Sequence, residues 1–240
     1  MDSLIKDIYN PKFVETLFDK MSSSYERVNY ITSFGFSEKW RKQCVKTLDI
    51  KEGSTVVDLM TGMGECWNPI LKSIGKNGQL IGLDFSSGMI KKANHRMKKY
   101  SNYNISLLKE NVFKNSIAEN SVDNIISGFG LKTFSIKQLE DLANEVNRTL
   151  KSNGSFSFIE VSVPQNKILK IFYIFYLKYI IPILGFLFLG NPETYKMLGI
   201  YTSEFGNSKK TKEIFESKGF KVQFTNYFYG CATGIKGYKI

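Results

Sequence analysis

The period of the hydrophobic positions changes along the chain. Between residues 11 and 49, apolar side chains such as Phe13, Leu17 and Phe18 recur at helical spacings and stop before Lys51-Glu52-Gly53, which predicts a leading helical cap. From residue 55 the apolar runs shorten. Strands are expected over 55–59, 79–83 (closing on Asp84), 105–108, 124–127 and 155–160, with a helix over 136–150 before the last of them. Short apolar strands separated by helix-length connections mark an α/β architecture with a mostly parallel sheet and helices on both faces. Lys151-Ser152-Asn153-Gly154 reads as a turn past a helix end, with Gly154 supplying a positive φ. A helix near 211–218, stopped by Gly219, and two strands near 221–227 and 233–238 would finish the sheet antiparallel.

Residues 168–189 depart from this rhythm. The stretch is apolar and long enough to raise the question of a membrane span, yet Lys170, Lys178 and Pro182 divide it, and a true span carries lysines badly. Three readings stay open: an apolar lid that also touches lipid, which is favoured, a buried insertion, and a span. Phe172, Tyr173, Phe175, Tyr176 and Tyr179 suit an interfacial position or a lipophilic, isoprenoid-like ligand.

Composition narrows the class. With 240 residues, 42% of them hydrophobic, the chain suits one α/β domain and is neither disordered nor collagenous. Its three cysteines, Cys44, Cys66 and Cys231, form no C-x-x-C pair and read as reduced thiols. The start, Met1 to Asp7, lacks the apolar core of a secretory signal, so a cytoplasmic location is expected. An excess of 33 Lys+Arg over 22 Asp+Glu leaves a charge of +11, concentrated at Lys91-Lys92, residues 96–99 and Lys209-Lys210. The plain reading is a solvated helix face; peripheral contact with the anionic inner face of a membrane is the alternative, and no recognised module accompanies the charge to suggest nucleic acid.

The candidate chemistry begins at residues 56–65, Val-Val-Asp-Leu-Met-Thr-Gly-Met-Gly-Glu, where a strand feeds a turn with glycines two apart and then a helix. Such glycines let a ligand touch main chain, although alone the pattern also describes a tight strand-to-helix turn. Asp84 closes the next strand 20 positions beyond Gly64, where a carboxylate can accept both hydroxyls of a ribose. Met63 and Glu65 stand where a diphosphate-binding loop has its third glycine. The site is thus shaped for a nucleoside without a diphosphate, pointing to S-adenosylmethionine rather than NAD. No His, Cys or Asp cluster has metal-ligand spacing, so no metal is implied.

Taken together these pieces resemble the ubiquinone/menaquinone biosynthesis C-methyltransferases, which are class I S-adenosylmethionine-dependent enzymes. The resemblance covers roughly residues 18–237. It runs through Phe18-Asp19-Lys20-Met21 with Tyr25 and Asn29, Ser33-Phe34-Gly35, Trp40-Arg41, the 58–65 turn, and Gly82-Leu83-Asp84-Phe85-Ser86 with Gly88-Met89. It continues through Asn120-Ser121-Val122-Asp123, Phe129-Gly130-Leu131, Arg148-Thr149-Leu150-Lys151 with Gly154, and Glu160-Val161-Ser162, in order and spacing. It implies a Rossmann-like class I methyltransferase fold with an antiparallel C-terminal edge. A single domain is expected: a helical cap (1–50), a cofactor-binding core (51–163), an inserted apolar lid (164–207), and a C-terminal helix with strands (208–240).

For the cofactor, the resemblance implies Asp58, Thr61, Gly62 and Gly64 around the methionine end, Asp84 on the ribose, and Phe85 or Met89 near the adenine. Asn111 and Val112 stand where the family commonly has Asp-Ala at the adenine edge, and Gly128 completes the set. Acceptor-side motifs depart further. The family's Gly-Leu-Arg-Asn is Gly130-Leu131-Lys132-Thr133; its Glu-Ser-Ile before Phe-Pro falls on Ile200-Tyr201-Thr202 with Phe205-Gly206; its C-terminal Gly-Gly-Ile and His fall on Gly230-Cys231-Ala232 and Lys236. Tyr25, Lys132, Glu160 and Tyr201 are the candidate proton handlers, while His95, the only histidine, reads as a surface residue and Cys231 as a small buried hydrophobe.

The expected activity is C-methylation of a lipophilic quinol precursor in quinone biosynthesis. The alternatives are O-, N- or S-methylation of another small hydrophobic molecule, and a cofactor-binding membrane-associated scaffold without turnover. A homodimer is compatible with each.

Overall fold

The computed structural model describes residues 8–187 and 192–240. The chain start, 1–7, on which the expectation of no secretory signal rests, and residues 188 and 189 at the end of the apolar stretch lie outside the described residues.

Among the described residues the first elements are the helices α1 (Pro11–Met21), α2 (Tyr25–Thr32) and α3 (Phe36–Lys46). Asn10 starts α1 by accepting the backbone N–H groups of Lys12 and Phe13, next to a proline in the first turn whose missing N–H costs nothing there. Then follow β1 (Thr55–Leu59), α4 (Trp67–Ile74), β2 (Gln79–Asp84), α5 (Ser87–Met97), β3 (Asn104–Lys109), β4 (Val122–Gly128), α6 (Ile136–Thr149) and β5 (Leu150–Val161). The apolar stretch forms α7 (Lys167–Phe175), a π-helical turn over Tyr176–Ile180 and α8 (Ile181–Leu187). The chain closes with α9 (Pro192–Phe205), α10 (Lys209–Ser217), β6 (Phe220–Tyr227) and β7 (Ala232–Lys239).

The strands form one sheet in the order β3-β2-β1-β4-β5-β7-β6, parallel from β3 through β5. β7 inserts antiparallel between β5 and β6. This is the expected α/β class. Alternate side chains divide the core. Val57, Ile125, Phe156 and Phe158 pack under α6 and α10, against Leu142, Val146 and Phe215. Val56, Ile126 and Ile159 face α3 and α4, against Cys44, Trp67 and Ile70. The strand order reverses between β1 and β4, and open α/β sheets bind ligands outside the strand carboxyl ends at such a switch point.

Three expectations need correction. The leading helices are not one cap: α3 lies on the sheet face, where the Cys44 thiol meets Ser157 Oγ at 3.1 Å, while α1 and α2 join α9 in a separate cluster over the strand ends. The supposed turn at 151–154 belongs to β5, as a bulge against β4, and the positive φ falls on Asn153 (61°) rather than Gly154. Asparagine tolerates that conformation better than most side chains, and a Cβ at position 154 would sit 2.7 Å from Leu150 Cγ. The buried-insertion reading of the apolar stretch also fails, since between 167 and 187 only Leu177 and Gly185 are buried. The π turn precedes Pro182, whose ring removes a helix hydrogen bond and is accommodated by a wider turn.

The bulge carries a test. Asn153→Val should destabilise the fold by about 1–2 kcal/mol, the cost of a β-branched side chain in the left-handed region, whereas Asn153→Gly should be nearly neutral; urea denaturation distinguishes them.

Candidate active site

The loop after β1 runs through positive φ at Met60 (51°), Gly62 (59°) and Gly64 (83°). This conformation turns main chain toward the crevice. Asp84, at the end of β2, anchors the loop: one carboxylate oxygen accepts the Gly62 N–H at 2.8 Å and the other the Ser86 N–H at 2.9 Å. Asp58, at the end of β1, accepts the Thr61 hydroxyl at 2.5 Å, and the Trp67 indole N–H donates to that hydroxyl at 2.8 Å. The same indole explains Gly64. A Cβ there would lie 2.5 Å from the Trp67 ring, so this glycine serves ring packing and the turn and does not line the crevice, contrary to its expected place beside the cofactor.

Above the loop sits a cavity of about 870 Å³, open mouth included. Of the residues expected at the cofactor, Asp58, Thr61, Gly62, Asp84, Phe85, Met89, Asn111, Val112 and Gly128 all line it. So do residues that strand-end reasoning missed: Tyr9, Val14 and Phe18 from the roof, Arg41 from α3, and Glu65 and Glu110. The roof is tied down at several points. Asp19 Oδ1 accepts the Ser86 hydroxyl at 2.6 Å and the Gly88 N–H at 2.8 Å; Gln138 Nε2 donates to the Tyr9 carbonyl at 3.1 Å.

Desolvation dominates the electrostatics. Burial, helped by the Glu65 charge and opposed by the Thr61 hydroxyl, pushes the Asp58 carboxyl up to about 7. Asp84 rises to about 6, again mainly by burial, with the Ser86 and Gly62 N–H groups holding it lower. A ligand carrying positive charge relieves this crowding of acids, and a diphosphate aggravates it. The donor set therefore fits an adenosyl sulfonium: a carboxylate for ribose hydroxyls, bare main chain at Gly62, and Phe85, Met89 and Val112 as apolar walls for a base.

A second cavity of about 1550 Å³, open mouth included, adjoins the first. Tyr25 and Phe129 line both. Its walls are mostly apolar and come from α2, α3 and the 167–187 segment, including Trp40, Leu169, Tyr173 and Leu177. The Tyr173 hydroxyl donates to the Cys231 carbonyl at 3.2 Å and the Tyr176 hydroxyl to the Thr32 carbonyl at 2.6 Å, which ties the segment to the cavity's wall.

The four candidate proton handlers separate. Tyr25 stands at the junction, and burial holds its phenol far above the usual tyrosine range, so it stays protonated there and offers a hydrogen-bond donor. Lys132 lines the second cavity, with Nζ donating to Glu160 Oε1 at 2.7 Å and to the Phe129 carbonyl at 3.1 Å. Glu160 is fully buried and lines neither cavity; its oxygens accept the Lys132 ammonium and the backbone N–H groups of Lys132 and Val161. It positions Lys132. Tyr201 does not reach either cavity: its ring packs beside Tyr9 and its hydroxyl donates to the Ile8 carbonyl, under the roof. Cys231 is buried in the wall of the second cavity with its thiol raised to about 11 by burial, and His95 is exposed.

A family model described as the ubiE/COQ5 methyltransferase family matches residues 5–239. The chain belongs to the ubiE/COQ5 methyltransferase family. It is 33% identical over 227 residues to a demethylmenaquinone methyltransferase of Staphylococcus haemolyticus, covering 94% of this chain and 93% of that one. It is 30% identical to the protein of the same name from Listeria welshimeri, covering 94% and 95%. Among solved structures, a SAM-dependent methyltransferase from Thermotoga maritima shares the fold with a TM-score of 0.63 at 20% identity, over 94% of this chain and 99% of that one. Another from Aquifex aeolicus gives 0.59 at 21%, over 83% and 89%. This member of the family is accordingly a methyltransferase that uses S-adenosylmethionine, and the first cavity has the groups to hold it.

The raised carboxyls predict how binding responds to pH. A cationic cofactor favours the ionised forms, so its binding releases protons and its affinity should fall as pH drops from 8 through 7 and 6, by up to about tenfold per unit for each group protonated. The stability of the ligand-free protein should move the opposite way. Both folded values exceed the roughly 3.9 of an unfolded aspartate, so the folded state binds more protons between about pH 4 and 7, and this contribution weakens as pH rises. Calorimetric titrations and thermal melts at pH 5.5, 6.5 and 7.5 check both signs, and Asp58→Asn should flatten both.

Proposed function

We propose that the protein transfers the methyl group of S-adenosylmethionine to a ring carbon of a lipophilic quinol, working at the cytoplasmic face of an anionic membrane. The observation that carries this reading is the pair of adjoining cavities, one ringed by carboxylates and the other apolar, meeting at Tyr25 and Phe129. The relatives named demethylmenaquinone methyltransferases support a quinol as the acceptor class.

When bound, the cofactor would supply an already electrophilic methyl and be left as S-adenosylhomocysteine. The chain's part is to align a ring carbon behind that methyl, shield it from water as a competing nucleophile and stabilise the acceptor's oxygen while its hydroxyl proton passes to solvent. The ring C–H proton then moves to that oxygen as the ring regains aromaticity, so that one proton is released overall. Aromatic walls at Trp40, Phe129 and Tyr173 would exclude water from the acceptor. Lys132, with two of its three N–H groups taken by Glu160 and the Phe129 carbonyl, has one left to steady a ring oxygen as a phenolate. The Tyr25 phenol, protonated at the junction, would hold that oxygen so that the neighbouring ring carbon, not the oxygen, faces the methyl.

The membrane part rests on the lid. Ile168, Ile171, Phe172, Phe175, Tyr179, Ile183, Phe186 and Leu187 are exposed, and Phe34 and Phe228 bring exposed aromatic surface to the same cavity rim. An apolar face flanked by Lys167, Lys170 and Lys178 suits the interface of an anionic bilayer, where an isoprenoid tail would stay in lipid.

A radiolabelled methyl-transfer assay with demethylmenaquinol and shorter-chain quinols tests the reaction. Label should appear on the ring carbon by product mass spectrometry, and cofactor binding without transfer to any quinol would refute the acceptor. Tyr25→Phe should lower the transfer rate about tenfold to a hundredfold while leaving S-adenosylhomocysteine affinity within about twofold. For the membrane, sedimentation with phosphatidylglycerol vesicles should capture the wild type and release Phe172→Asp, and equal recovery of both in the supernatant would exclude it.

A further inference from the structure

The cofactor cavity is lined by four acids, Asp58, Glu65, Asp84 and Glu110, and by a single cation among the described residues, Arg41. Its side chain is only 8% exposed. The guanidinium lies over the Phe129 ring at 4.7 Å, and its stem passes Gly128, where a Cβ would come within 3.4 Å of Arg41 Cγ. It has five N–H donors, yet among the described residues it makes one hydrogen bond, a long one, 3.4 Å from Nη2 to Glu65 Oε1. Glu65 in turn has its other oxygen engaged by the Met63 N–H at 2.9 Å. A buried, stacked guanidinium with so little to donate to is held ready for an anionic group that is not part of the chain.

Geometry says which group. Asp84 closes β2, the Asp58–Gly62 turn closes β1, and Gly128 closes β4 beside Arg41; these three strands are neighbours. Asn111 and Val112 follow β3, on the far side of β2. A ligand with its base at β3 and ribose at Asp84 would cross β1 and reach β4 after two strand spacings, roughly 10 Å, a distance suited to a methionine chain. Arg41 lines this cavity and not the acceptor cavity. We infer that Arg41 anchors the α-carboxylate of the cofactor's methionine end, through the paired donors that a guanidinium offers a carboxylate. The inference rests on the assignment of the cofactor to this cavity.

The test separates the amino-acid end from the nucleoside. Binding of S-adenosylhomocysteine and of 5′-methylthioadenosine, which has the thioether nucleoside but no amino acid, is measured by calorimetry for the wild type, Arg41→Gln and Arg41→Lys. Arg41→Gln should weaken S-adenosylhomocysteine about tenfold to a hundredfold and methylthioadenosine by less than about twofold, with Arg41→Lys between the wild type and Arg41→Gln for the first ligand. Equal losses for both ligands would mean that Arg41 merely supports the cavity wall, and no loss for either would mean that it faces nothing; each overturns the inference while leaving the cofactor assignment intact. A wild type that binds neither ligand would overturn the assignment as well. Should Arg41→Gln fail to fold, the Arg41→Lys comparison decides alone.

Discussion

Asp58 and Asp84 are buried at the ends of adjacent parallel strands, and the loop between β1 and α4 is folded around them. Gly62 donates its N–H to Asp84, Thr61 its hydroxyl to Asp58, and Trp67 secures that hydroxyl from below. Two carboxylates in so little water are costly to keep charged, which is why both sit above the usual aspartate range. The same cost selects the ligand. A sulfonium with an ammonium lowers it, and a diphosphate raises it.

The rest of the architecture serves that pair. The sheet holds the strand ends in register, and its order reversal opens the crevice beside them. The roof of α1 and α2 covers the crevice, latched through Asp19 to the start of α5 and through Gln138 to Tyr9. The Lys132–Glu160 pair extends the polar framework to the border of the apolar cavity. Losing either partner would leave an uncompensated buried charge, and this cost constrains both positions as strongly as chemistry does.

Much of the fold was legible because buried parallel strands are short apolar runs with glycine or acid at their ends; the expected strands and the α6 helix lie within a few residues of those found. The bulge in β5 was not, because Asn and Gly both punctuate turns and only pairing with β4 shows that the strand continues past them. The leading helices were readable as helices, but spacing could not tell α3, packed on the sheet, from α1 and α2 over the strand ends. Amphipathic periodicity reports that a face is buried, not against what.

The amino-acid sequence by itself determined the α/β layout, the β1 turn and the acid at the end of β2, because these are local: a few neighbouring residues carry each pattern. Tertiary structure alone decided the rest. It took Gly64 out of the cavity by packing Trp67 against it, put Tyr201 under the roof rather than beside a substrate, and bound Glu160 to Lys132. It also brought Arg41 from a helix ahead of β1 to face residues at the end of β4. Contacts between residues tens of positions apart depend on how layers stack, and no spacing along the chain encodes that distance.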